Sequence, residues 1–268
     1  MSSNLAKRII VAVIGIPVLL FVIYKGGIYL YLLCLLIAVL GSWELAAMLL
    51  SKNIEIGKKL ATLLAFAIVS LFQFTSFGDA GLLITFLLFF MAATLKLIET
   101  GTVNYTSRLA MALLAAVYPG FFISFAILIH REFVLGWAVL AFVFITIWIA
   151  DTFAYGFGKW LGSKKLAATV SPKKTWVGFF AAFPGGILAA IAVFYLLKTP
   201  WTIIDLSIAA IAATFFGQLG DLVESAIKRD CDVKDSSNLI PGHGGVLDRF
   251  DSLLFALPSV YFVFKILS

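Results

Sequence analysis

The chain has 268 residues, of which 62% are hydrophobic and only 13% charged, with a mean hydropathy of +1.08. Soluble domains carry about 25% charged residues, so the composition excludes a water-soluble protein and predicts an all-α, polytopic integral membrane protein. The net charge of +6 is explained by basic loops flanking membrane helices, and no nucleic-acid partner is expected.

A helix needs about 20 apolar residues to cross a bilayer. Nine runs qualify: 9–24, 28–50, 60–77, 80–98, 107–129, 134–155, 178–197, 203–224 and 252–267. The first follows Lys7 and Arg8 as a signal peptide would, but no small-residue cleavage site succeeds it, so it reads as a retained span. Only a turn around Gly78-Asp79 separates the third run from the fourth. Cys34 and Cys231 lack a paired spacing and are expected as free thiols.

With the amino terminus inside, sixteen of the twenty Lys and Arg residues fall on the cytoplasmic side, and only Lys25, Arg131, Lys198 and Lys265 lie opposite. The positive-inside rule favours that orientation in a cell inner membrane. It also puts the two most polar loops, 156–177 and 225–251, on one face. No inverted repeat of the transporter kind is found. Residues 1–130 read as a scaffold of helices and 131–268 as the region that carries chemistry.

Half of the fourteen acids lie between Asp221 and Asp251. Asp221, Glu224, Ser225 and Lys228 are spaced i, i+3, i+4, i+7 and share one helix face. Acids so close to hydrocarbon are costly and mark function, and several carboxylates together suit a hard divalent cation such as Mg2+. The alternative is a solvated helix end with Glu224 and Lys228 paired. Asp248 and Asp251, at i and i+3, form a second acidic pair, either metal-binding or in a first helical turn favoured by the helix dipole. Between the two groups, Pro241-Gly242-His243-Gly244-Gly245 can bring backbone N–H groups against phosphate, with His243 at the phosphate or as a turn residue. His130, on the opposite face, reads as structural. Asp151 is a further acid at a span end. Ser171, Lys173, Lys174 and Thr175 supply cations and hydroxyls that suit a polyphosphate, although paired lysines also simply obey the positive-inside rule.

The segment Ser225-x-Ile227-Lys228-Arg229-x4-Lys234-Asp235-x-Ser237-x2-Ile240-Pro241-x-His243-Gly244-Gly245-Val246-x-Asp248-Arg249-Phe250-Asp251 resembles the signature of the phosphatidate cytidylyltransferase (CDP-diacylglycerol synthase) family. Asp151-Thr152-x-Ala154-Tyr155 and Ser171-Pro172-Lys173-Lys174-Thr175 also resemble family segments, while the front half matches mainly in hydropathy. Val177 departs from the pattern, standing where the family's loop has an acid.

The resemblance implies transfer of CMP from CTP to phosphatidate, giving CDP-diacylglycerol and pyrophosphate for phospholipid biosynthesis. It implies Mg2+ on Asp221, Asp248 and Asp251, with or without a second cation. Lys228, Arg229, Lys234 and Arg249 would engage the triphosphate or the lipid head, and His243, Gly244 and Gly245 the phosphates. Asp235 would belong to the catalytic set. Asp151, Ser171, Lys173, Lys174, Thr175 and Ser225 would bind substrate, and the partner of the chain would be a second copy of itself. A transferase acting on another lipid phosphate or a polyprenol is the alternative. An ion transporter is a remote one, since the middles of the spans are apolar and the acids cluster at one face.

Overall fold

The computed structural model describes residues 3–52, 57–75, 87, 90–95, 97–98, 101–197, 199–240, 242 and 244–267. The long helices are α1 (Ser3–Lys25), α2 (Gly27–Leu49), α3 (Lys58–Phe74), α4 (Tyr105–Glu132), α5 (Gly136–Leu161), α6 (Trp176–Leu197), α7 (Ile203–Asp230) and α8 (Leu247–Leu267). A short antiparallel hairpin, β1 (Lys165–Ala167) and β2 (Ser171–Thr175), lies between α5 and α6. Among the described residues, six helices, α2 and α4 to α8, are long and apolar enough to cross a membrane. The chain is thus an all-α, multi-pass membrane protein, as its composition predicts. The fourth expected run, 80–98, lies largely outside the described residues.

Helix ends differ from the hydropathy runs. α5 continues to Leu161 and α7 to Asp230, because hydropathy detects only the lipid-soluble part of a helix that projects beyond it. α7 begins with a reciprocal cap. Thr202 N–H donates to Asp205 Oδ2 at 2.9 Å and Asp205 N–H to Thr202 Oγ1 at 3.2 Å, so each side chain satisfies the other residue's N–H.

The chain divides into two compact units. The first comprises Met1–Leu128 and Asp230–Arg249. In it, α2 packs on α3, with Tyr31 Oη and Ser70 Oγ sharing a hydrogen bond at 2.9 Å. Phe72 of α3 meets Phe121 and Phe125 of α4 at ring-centroid distances of 5.6 and 6.0 Å. Cys34 and Cys231 are buried and are not joined in a disulfide.

The second unit comprises Ile129–Arg229 and Phe250–Ser268. Here Phe264 of α8 packs against Phe142 of α5 at 6.2 Å, and Tyr261 donates to Glu132 Oε2 at 2.8 Å. Large apolar side chains such as Phe180, Leu188, Leu196 and Ile211 remain exposed on α6 and α7, the surface expected of helices solvated by lipid.

Candidate active site

The second unit carries an acidic and basic cluster built from three helices and the hairpin. Asp151 comes from α5, Asp221 and Lys228 from α7, and Asp251 from the first turns of α8. Each of the three aspartates lies within electrostatic range of the other two. Lys174 of β2 approaches from the hairpin, its Nζ 2.7 Å from Asp221 Oδ2. Asp151 is exposed, while Asp221 and Asp251 are part-exposed.

Helical periodicity places the α7 residues as their spacing requires. Ser225 Oγ donates to Asp221 Oδ1 at 3.2 Å, one turn back. Lys228 and Glu224 form an ion pair, again one turn apart. Glu224 is only 1% exposed and Lys228 8%, so this is a buried pair and the solvated-end alternative is corrected. A buried pair pays its desolvation cost only with close geometry.

The hairpin is held at both ends. Arg229 Nε donates to the Val170 carbonyl at 3.3 Å, tying the end of α7 to the β1–β2 turn. At the other end Thr175 caps α6, accepting the Gly178 N–H on Oγ1 at 3.1 Å. Gly178 must lack a side chain, since a Cβ there would stand 2.6 Å from the Ala154 carbonyl oxygen. Ser171 is part-buried and Lys173 exposed on the same strand.

The first unit holds most of the remaining signature. Lys234 and Asp235 lie exposed in the segment before α8, and Arg249 is exposed in its first turn. His243 lies outside the described residues. Asp248 is buried, and its Oδ2 accepts from Ser236 N at 2.8 Å, Ser236 Oγ at 3.0 Å and Gly245 N at 2.8 Å. It therefore folds the loop back onto the start of α8. Ile240 N–H donates to the Gly244 carbonyl at 2.8 Å and closes the loop further. Gly244 adopts φ +84°, and a Cβ on it would stand 2.6 Å from Asp248 Oδ2. Its glycine is thus demanded by both dihedral and space.

Glu44 is the residue the sequence reading missed. It sits on α2, 3% exposed. Its Oε1 accepts from Ser237 Oγ at 2.6 Å and Val246 N at 2.9 Å, and its Oε2 from Ser236 Oγ at 3.0 Å and Leu247 N at 2.9 Å. The one available signal was its isolation, an acid inside an apolar span.

Among the described residues, no group of three or more His, Cys, Asp or Glu side chains is close enough to hold a metal ion as placed. The second-unit cluster brings three carboxylates and two ammonium groups together, and its ammonium groups suit a phosphate-rich anion.

Comparison with known proteins gives a consistent result. The model of the family described as "Cytidylyltransferase family" matches residues 6–267. The chain is similar to the phosphatidate cytidylyltransferase of Bacillus subtilis (strain 168), 35% identical over 272 residues, covering 99% of each. It is also similar to the phosphatidate cytidylyltransferases of Staphylococcus epidermidis (strain ATCC 12228), at 35% identity, and Staphylococcus aureus (strain COL), at 31%, each over 94% of this chain and 95% of the relative.

Proposed function

The chain belongs to the cytidylyltransferase family, and from that premise we propose that it transfers CMP from CTP to phosphatidate, releasing pyrophosphate and forming CDP-diacylglycerol for phospholipid biosynthesis. The observation that carries this reading is the second-unit cluster, in which Lys174 joins Asp221 at 2.7 Å beside Asp151, Asp251 and Lys228. No nucleophile triad or Walker loop accompanies it, and the reaction needs neither. An oxygen of the lipid phosphate, already an anion at neutral pH, attacks the α-phosphorus of CTP. The bond from that phosphorus to the bridging oxygen breaks, and pyrophosphate leaves with the electron pair. The protein's part is charge neutralisation and in-line positioning.

Lys174 and Lys228 supply positive charge to the triphosphate and the lipid head, with Arg229, Lys234 and Arg249 beside them in the signature. Thr175 and the Arg229–Val170 contact fix the hairpin that brings Lys174 to the cluster. Lys173, Ser171, Ser225, Asp235, His243, Gly244 and Gly245 complete the substrate and catalytic set in this reading. The donor chemistry of Asp221 and Asp251, carboxylate oxygen, fits Mg2+, and these two would hold it, with Asp248 added to the set only by the family resemblance. Bound there, the metal would supply Lewis-acid neutralisation of the phosphate oxygens, with or without a second cation.

The same reading puts the amino terminus and the site on the cytoplasmic side of the inner membrane, supported by the Lys and Arg asymmetry. It takes the working unit to be a homodimer. The diacyl tails stay in lipid while the head reaches the polar cluster. The test is incubation of the purified protein with CTP and phosphatidate, with detection of the liponucleotide. Formation of CDP-diacylglycerol in step with pyrophosphate is expected. Its absence, or transfer only to an ether-lipid phosphate or a polyprenol, would replace phosphatidate in the reading.

A further inference from the structure

Glu44 is the only charged residue of α2, and a carboxylate within a membrane helix is costly. Its surroundings account for it completely. An ionised carboxylate has about four lone-pair sites, and Glu44 meets four donors, two on each oxygen. Two of these donors are the backbone N–H groups of Val246 and Leu247, at the start of α8. Such N–H groups have no partner within their own helix, and a side chain at the helix start normally accepts from them. Val246 stands at that place here and has no acceptor in its side chain. The cap comes instead from α2, and it brings the negative charge that a helix amino terminus favours.

We propose that Glu44 is a positioning residue of the transfer reaction, holding Ser236, Ser237, Val246 and Leu247 together and so setting the place from which α8 presents Asp248. The inference rests on the cytidylyltransferase reading of the signature. Ser236 Oγ makes the link direct, lying 3.0 Å from both Glu44 Oε2 and Asp248 Oδ2. That hydroxyl has one proton to share between two carboxylates, so a change at Glu44 alters the hydrogen bonding of Asp248. Gly245 leaves the room the pair needs, because a Cβ on it would stand 2.6 Å from Glu44 Oε2.

The experiment compares the full-length protein with its Glu44→Gln and Ser237→Ala variants in detergent. Gln offers one acceptor oxygen where four donors point and adds two donors of its own. Backbone amide exchange is followed at Val246 and Leu247, with residues 165–175 of the hairpin as the internal reference. Turnover and the KM for CTP are measured in parallel. In Glu44→Gln we expect exchange at Val246 and Leu247 at least tenfold faster, the hairpin unchanged, and kcat at least tenfold lower with KM within threefold.

Ser237→Ala removes the shortest of the four bonds and is expected to show the same pattern more weakly, with Ser237→Thr restoring it. Unchanged exchange at Val246 and Leu247 in Glu44→Gln overturns the proposal, as does faster exchange with unaltered kcat. If Glu44→Gln does not fold, the Ser237 variants decide by the same readouts. A wild-type protein inactive on CTP and phosphatidate, whose Glu44→Gln variant still opens only loop 236–247, would refute the functional reading while leaving the loop contact in place.

Discussion

Lys174 Nζ lies 2.7 Å from Asp221 Oδ2, an ion pair that ties the β-hairpin to α7 and leaves both side chains part-exposed. The Lys174 Nζ itself is buried, but with both side chains only part-buried the pair contributes on the order of 1 kcal/mol to stability. Its value is therefore in the chemistry of the cluster, and Asp221→Asn separates the two roles. Turnover is expected to fall by at least about a hundredfold, the order found when one preorganised electrostatic group is removed, while the thermal unfolding midpoint in detergent stays close to wild type. Near-normal turnover would remove Asp221 from the site.

Asp248 behaves differently because it is buried and holds three donors on one oxygen. Asp248→Ala strands the Ser236 and Gly245 N–H groups, and a buried unsatisfied donor costs about 1–3 kcal/mol. The variant is expected to lose both activity and stability. Asp248→Asn keeps an acceptor oxygen and is expected to retain more stability while remaining inactive. Denaturation curves of the two variants against Asp221→Asn check the contrast.

The proposed Mg2+ makes a metal requirement the next expectation. Transfer is expected to stop in excess chelator and to return when Mg2+ is restored, with Ca2+ a poorer substitute because it prefers more ligands at longer distances. Full activity in chelator would remove Mg2+ from the reading and leave charge neutralisation to the basic side chains.

Packing beside the hairpin gives a paired test. Gly178→Ala would place a Cβ 2.6 Å from the Ala154 carbonyl oxygen, and overpacking of this kind costs about 1–3 kcal/mol. Gly156→Ala meets nothing within 4 Å on the adjoining helix, so it is expected to be neutral or to stabilise by up to about 1 kcal/mol. Thermal unfolding of both variants measures the difference, and a destabilised Gly156→Ala would contradict it.

Much of this architecture is legible in the sequence, for identifiable reasons. The long apolar helices announce themselves because lipid demands a continuous run. The Asp221–Ser225 and Glu224–Lys228 pairs follow from helical periodicity alone. The burial of the second pair does not, since its cause is packing by residues distant in sequence. The hairpin was missed because Ser171-Pro172-Lys173-Lys174-Thr175 has little strand propensity and pairs with only three residues. Glu44 was missed because its partners lie 192 to 203 positions away, beyond any local pattern.

That separation has a consequence for how the protein is made. Translation proceeds at about 5–20 residues per second, so α2 enters the membrane roughly 10–40 s before the ribosome reaches Ser236. Throughout that interval Glu44 has none of its four donors. Glu44 cannot settle in the first unit until Ser236, Ser237, Val246 and Leu247 have been made, and a product truncated before residue 236 keeps a carboxylate without those partners within a hydrophobic helix.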